Sequence, residues 1–287
     1  MKKSFRITCE SSADLTAELY KKHDIPVMPF TITMGDTQYK DFDIDNTELF
    51  KLVQESGTLP KTSAFNEYDY EEFFTKENKG EGIIHFCISS KVSSTINSAR
   101  AAAEKMKDVY VIDSLSLSTG TGLQVLYAVQ LRDAGVPIAE AVELINARKS
   151  AVQISFVVDT LKYLHKGGRC SALALIGSTA LGIKPSIVLK DGKMQVGKKY
   201  MGKIHKTLEK YIPDTLAEYN NPDPELCFIT YSSATEEMLK TTKEVLANNF
   251  KFKNIIETTA GCTVSTHCGP NTLGIIYYND GGKVKKK

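Results

Sequence analysis

No stretch of this 287-residue chain is apolar over enough residues to form a membrane span. Charge of one sign is also lacking. The 36 Lys and Arg stand against 34 Asp and Glu, a formal net charge of +2, too near neutrality for an electrostatic nucleic-acid binder. The opening "MKKSFRITCESS" has two lysines but no apolar h-region, because Arg6 and Glu10 interrupt it. The expectation is no signal peptide and a cytoplasmic location. Six cysteines (Cys9, Cys87, Cys170, Cys227, Cys262 and Cys268) form no CxxC pair, so free and mostly buried thiols are expected. "CTVSTHC" groups Cys262, His267 and Cys268. Read as a strand, it points His267 and Cys268 to opposite sides, which argues against chelation, and no metal is expected. Repeats of solenoid length and low-complexity segments are absent. So are the GxxxxGK[ST] phosphate loop and the GxSxG elbow.

What is present is the balance of a soluble globular protein, 42% hydrophobic and 24% charged. The first half alternates strand-like and helix-like stretches. "FRITC", "IIHFCI" and "VYVID" read as strands, and "NTELFKLVQES" and "NEYDYEEFFTKENK" as helices. That alternation predicts a parallel, doubly wound α/β sheet. The second half changes character. "SIVLKDGKMQVGKKY" places an Asp191-Gly192 turn between extended arms, the strongest hairpin signal in the chain. With "LCFITY", "KNIIETT" and "TLGIIYY" it predicts a smaller α+β domain. The expected division is 1–155 for the α/β domain, 156–282 for the α+β domain and 283–287 for a solvated basic tail. A ligand between two closely packed domains is the default expectation.

One segment stands out chemically. "ISSKVSSTINSA" (88–99) places six hydroxyls where a strand ends and a helix begins. Helix starts carry unpaired N–H groups and partial positive charge, which suit a carboxylate or phosphate. Ser93 or Ser94 acting as a plain helix cap is the competing reading. "CESSADL", "IDSLSLSTGTG" and "LPKTSAF" repeat the hydroxyl-rich pattern at other element ends, the last with Thr62 and Ser63. Convergence of these ends on one cleft is the expectation. "HKGGRC" puts Arg169 on a loop after two glycines, from which a guanidinium reaches an anion. Of the five histidines, His267 before the Gly-Pro turn is the one placed for a cleft. A Ser93–His267 hydrolase lacks an orienting carboxylate, so no catalytic residue is assigned.

Taken in order, these motifs resemble those of the DegV family of bacterial fatty-acid-binding proteins, the acyl carriers of fatty acid kinase. "CESSADL" is similar to an opening "DSSxDL", "KTSAF" to "TSQPS", and "ISSKVSSTINSA" to "ISSxLSGTYQSA". "LKYLHKGGR" is nearly the family consensus, and "HCGPNTLGI" resembles "HxGPGxLGI". The likeness covers residues 4–280. It implies a long-chain fatty acid in a tunnel between the two domains, with no cofactor. Carried over by position, Thr62 and Ser93 bond the carboxylate, Arg169 and His267 complete its polar surroundings, and Ser63 and Ser94 support them. A partner kinase makes the acyl phosphate; the carrier is not the catalyst. Ser94 for Gly, Asn271 for Gly, Ala64 and Phe65 for Gln and Pro, and Met201 where many carriers have arginine are departures from the pattern. The alternatives are an enzyme of small phosphorylated or acylated substrates at the same anion site, and an interaction protein.

Overall fold

A computed structural model describes residues 5–169 and 182–282. The basic tail and Cys170 lie outside the described residues. In the first half, strands β1 (Arg6–Glu10), β2 (Val27–Met28), β3 (Thr31–Met34), β4 (Thr37–Lys40), β5 (Lys61–Ser63), β6 (Ile83–Cys87) and β7 (Val109–Asp113) are interspersed with six helices. These are α1 (Ala17–His23), α2 (Asn46–Ser56), α3 (Glu67–Glu77), α4 (Thr95–Glu104), α5 (Thr119–Asp133) and α6 (Ile138–Arg148). Four strands form a parallel sheet in the order β2-β1-β6-β7. Cys9 pairs with Phe86 and Cys87 with Asp113, so the loops after β1, β6 and β7 leave from one edge. A three-stranded antiparallel sheet, β4-β3-β5, is an addition that the alternation did not announce.

Local chemistry sets the helix ends. Thr16 caps α1, Asp45 caps α2, and Asn66 with Asp69 forms a capping box on α3. The serines of "CESSADL" form a separate 3-10 turn, Ser11–Ala13, ahead of α1, and Ser11 Oγ accepts from the Phe30 N–H at 3.1 Å.

The second half contains β8 (Val152–Val157), α7 (Lys162–Gly167), β9 (Ile183–Lys190), β10 (Lys193–Met201), α8 (Ile204–Glu218), β11 (Leu226–Tyr231), α9 (Glu236–Asn249), β12 (Asn254–Thr259), α10 (Cys262–Cys268) and β13 (Leu273–Tyr278). Its sheet is mixed and six-stranded, in the order β10-β9-β8-β13-β11-β12. The Asp191-Gly192 turn joins β9 and β10 as an antiparallel hairpin. The hairpin tip docks on the first half, where Ser89 Oγ donates to the Gly192 carbonyl at 2.8 Å.

Helix α5 joins the two sheets. It packs on β1 and β6 on one side and on β8 and β13 on the other. Twelve of its fifteen residues are buried, and only Gln130 and Asp133 towards its C-terminal end are exposed, so most of its length has no solvent face. Its "TGTG" serves close approach rather than phosphate binding. A Cβ on Gly122 would lie 2.7 Å from the Ala13 carbonyl, and one on Gly120 would meet Ser116 Oγ. One apolar core therefore runs from Ile7 and Phe86 through α5 to Ile154, Phe228 and Ile276.

Buried carboxyls line the sheet edge. Glu10 accepts from the Ile88 N–H at 2.7 Å and from the Tyr70 hydroxyl, yet burial pushes its pKa from 4.5 up to about 7. The folded state thus keeps a proton that the unfolded chain releases near pH 4.5. Its contribution to stability falls as pH rises from there to 7, by up to about 1.4 kcal/mol per pH unit. His85 opposes it, because burial lowers that imidazole to about 3 and its contribution grows with pH up to its unfolded value of 6.5. In Glu10→Gln the carboxyl slope is gone. The stability of the variant minus that of the parent is expected to rise between pH 4.5 and 7 and to be flat below. Denaturant melts across that range check it; a constant difference would show that Glu10 titrates alike in both states.

Candidate functional site

The element carrying His267 is the main correction to the sequence reading. "CTVSTHC" is not a strand but the helix α10. Its β-branched residues disguise it, and groups from far away in the chain hold it. The Gly261 N–H donates to Asp14 Oδ1 at 2.9 Å and the Thr263 N–H to Asp41 Oδ1 at 2.8 Å. Two carboxylates from the first half thus satisfy orphan donors at the start of α10 and complement its dipole. Burial raises the pKa of both, that of Asp14 to about 7. Asn46 Nδ2 adds bonds to the Ser232 and Ala260 carbonyls at 2.6 and 2.7 Å. On the helix, His267 and Cys268 diverge. His267 Nε2 meets Thr62 Oγ1 at 3.0 Å, while Cys268 Sγ turns back to the Val264 carbonyl at 2.9 Å.

Burial, and then the nearby Arg169 guanidinium, lowers the His267 imidazole to about 4. It is neutral at pH 7, and its buried Nδ1 has no partner among the described residues. Gly167 lies against it. A Cβ there would sit 2.8 Å from Nδ1, which gives the first glycine of "HKGGR" its reason. The second, Gly168, has φ +68 and ends α7. Arg169 follows, with Nη1 donating to the Gly167 carbonyl at 2.6 Å.

Ser94 is the residue before α4, but its side chain makes no cap bond. Ser93 Oγ instead accepts from the Thr95 N–H at a long 3.3 Å. Weak local capping leaves that hydroxyl able to donate elsewhere.

Thr62, Ser63, Ser93, Ser94, Arg169 and His267 all line one cavity of about 190 Å³. Its other walls are largely apolar, with Ile88, Leu117, Phe156, Leu164 and Val264 among them. Leu117, Phe156, Val264 and Cys268 also line a smaller apolar space of about 30 Å³, which reaches Ile154 and Ile276. The cavity lining therefore combines apolar side chains with hydroxyls, an imidazole and a guanidinium.

Convergence of the hydroxyl-rich ends is narrower than expected. Ser118 Oγ donates to Asp14, and Ser114 Oγ to the Ser116 carbonyl. From "IDSLSLSTGTG" only Leu117 reaches the main cavity. The apolar walls and the Asp14 and Asp41 anchors were not found from sequence. Leu, Phe and Val in a cavity carry the same pattern as in a core. Asp14 lay inside the opening motif and was the available signal.

Two departures from the motif pattern are locally harmless. Asn271 sits at φ +55, a conformation that Asn tolerates nearly as Gly does. Ser94 has φ −88, which needs no glycine. Met201 is 71% exposed at the end of β10, away from the cavity. Glu10, His85 and Cys87 place ligand-type atoms within 4.8 Å of one another. Glu10 is already held by Ile88 and Tyr70, His85 Nδ1 lies 2.8 Å from Thr8 Oγ1, and the rings of Tyr70, Phe73 and Phe74 surround the imidazole. This is a closed core, in which His85 Nε2 has no hydrogen-bond partner among the described residues.

Fold and cavity together define an α/β protein with a parallel sheet, a mixed six-stranded sheet and a cavity lined by residues of both halves. The chain belongs to the DegV family: the family model described as "Uncharacterised protein, DegV family COG1307" matches residues 4–280. The DegV domain-containing protein YteA of Lactococcus lactis is 30% identical over 284 residues, covering 95% of this chain and 96% of the relative. A DegV family protein from Thermus thermophilus, described by its fatty acid binding, superposes with a TM-score of 0.88 at 25% identity, covering 96% of this chain and 99% of that one. A stearic acid-binding protein from Eubacterium ventriosum gives a TM-score of 0.84 at 26% identity, covering 96% and 98%. No helix among the described residues is long and apolar enough to cross a membrane.

Proposed function

We propose that this chain is a cytoplasmic carrier. It binds one long-chain fatty acid and presents the carboxylate to a fatty acid kinase, without being the catalyst. The observation that carries the reading is a single cavity whose apolar walls are joined by Thr62, Ser63, Ser93, Ser94, Thr263, Arg169 and His267. The expected division at 155–156 falls inside β8 (Val152–Val157), and described residues on both sides of it line the cavity. The fatty-acid binding of the Thermus and Eubacterium relatives supports the ligand class, and the ordered motifs support the kinase partner. Burying a 16-carbon tail gains on the order of 10 kcal/mol at about 0.8 per methylene, less the cost of association. Each hydrogen bond to the carboxylate adds about 1.5–3 kcal/mol. The tail supplies affinity and the polar end sets position. In the transfer, a carboxylate oxygen bonds the terminal phosphorus of a nucleoside triphosphate, and the diphosphate leaves.

Protein purified from a bacterial host is expected to carry about one long-chain fatty acid per chain. Native and denaturing mass spectra test this, and no acyl species together with no uptake of added acid would overturn it. Ser93→Ala is expected to fold, to weaken binding by about 1–3 kcal/mol, and to slow kinase-dependent acyl phosphate formation further, because transfer needs the oxygen aligned. A plain capping role predicts instead a melting change with unaltered affinity and phosphorylation. An enzyme of small acylated or phosphorylated substrates would turn over such a compound without added kinase.

A further inference from the structure

Beside the carboxylate end of the cavity lies a second, open recess of about 440 Å³. Lys91, Arg169 and Lys193 line it with Val92, Met194 and Gln195, and no carboxylate among the described residues does. Val92, Arg169 and Met194 line both spaces, so the recess adjoins the first cavity. Its two lysines come from distant parts of the chain and are held in register. Lys91 follows β6, and its N–H donates to Ser89 Oγ at 3.2 Å. The same Ser89 hydroxyl donates to the Gly192 carbonyl at the hairpin tip, one residue before Lys193. Gly192 has φ +78, and a Cβ there would lie 2.5 Å from Ser89 Oγ and 3.2 Å from Lys91 Cγ. The tip therefore fits only as glycine, and this fit brings Lys193 beside Lys91. Some lysines of the fold are paired, such as Lys105 with Glu67, Lys184 with Asp159 and Lys198 with Asp214. Neither Lys91 nor Lys193 has a carboxylate partner among the described residues.

We propose that Lys91 and Lys193, with Arg169 between the two spaces, form a phosphoryl subsite. It holds the phosphate of an acyl phosphate whose acyl chain occupies the cavity. The proposal rests on the carrier reading and adds a site for the product. A carboxylate seated at Thr62, Ser93 and His267 has Arg169 at its outer side. A phosphoryl group added to it extends outward into the recess, where three cations meet its charge. Cations around a phosphate make charge-assisted hydrogen bonds stronger than neutral ones. The subsite retains the product after the kinase leaves.

The test uses a long-chain fatty acid and its acyl phosphonate, a stable stand-in for the acyl phosphate. Both are titrated into the full chain and into Lys91→Gln/Lys193→Gln. A distant double variant, Lys240→Gln/Lys251→Gln on and after α9, controls for net charge. The expected result is a loss of about tenfold or more in phosphonate affinity for the subsite variant alone, with fatty-acid affinity within about twofold. Lys91→Arg/Lys193→Arg is expected to restore phosphonate binding. Equal loss for both ligands, no loss for the phosphonate, or the same loss in the distant control would overturn the subsite and leave the carrier reading standing. Unaltered phosphonate binding with lost retention on phosphatidylglycerol vesicles would assign the recess to a lipid headgroup instead. Failure of the parent to bind either long-chain ligand would remove the carrier reading, and the subsite with it.

Discussion

Under the proposed carrier function, Val264→Phe is expected to confine binding to short acids. Val264 lies on α10 one turn before His267, and it lines both the main cavity and the smaller apolar space beyond Phe156 and Leu117. A phenyl ring there fills the passage between them. Each methylene kept out of the interior forfeits about 0.8 kcal/mol, so excluding four costs about 3 kcal/mol, roughly 200-fold in affinity. An eight-carbon acid does not reach that far, and its affinity is expected to stay within about threefold. Titrating saturated acids of about eight to eighteen carbons gives the pattern directly. An equal loss at every length would mean that α10 had shifted and carried His267 with it. Unaltered long-chain binding would mean that the tail takes another path.

Gly274→Ala is expected to be the more destabilising change, although it adds one carbon. Gly274 sits in β13, in the middle of the six-stranded sheet and opposite Phe156 of β8. A Cβ there would lie 2.4 Å from the Ser155 carbonyl and 3.0 Å from Phe156 Cβ. Neither neighbour is the mobile end of a side chain, so the strands themselves must move apart. Overpacking of this kind costs about 3 kcal/mol, a fall in Tm of roughly 6–12 °C for a chain of this size. Phe156 also lines the cavity, so lipid affinity is expected to fall with stability. Thermal unfolding of the lipid-free variant checks this; a Tm within about 2 °C of the parent would show that the sheet accommodates the methyl group.

That glycine shows how far the sequence could be read. It belongs to "GPNTLGI", a motif visible in the chain, but its reason is the adjacent strand β8, which is distant in sequence. Other elements were legible because their causes are local. The β9–β10 turn is written in Asp191-Gly192, both at positive φ. Helix α2 starts at an aspartate cap and ends at Gly57. The alternation of β1, β6 and β7 with helices gave the parallel sheet. Helix α10 was read as a strand because "CTVSTHC" has the composition of one. What makes it helical is Asp14 and Asp41, 247 and 222 residues distant from their partners Gly261 and Thr263.

By itself the sequence determined the periodic elements, the hairpin, the family likeness and the small set of hydroxyl, histidine and arginine positions that meet in the cavity. These depend on backbone preferences and motif order, which act over a few residues at a time. Only the tertiary structure decided that α5 is buried between two sheets, that Gly167 lies against the His267 ring, and that Thr62 meets His267 across 205 residues. It also set Lys193 beside Lys91 through a glycine pressed against Ser89. Close approach depends on which surfaces pack together, and packing is a property of the whole chain.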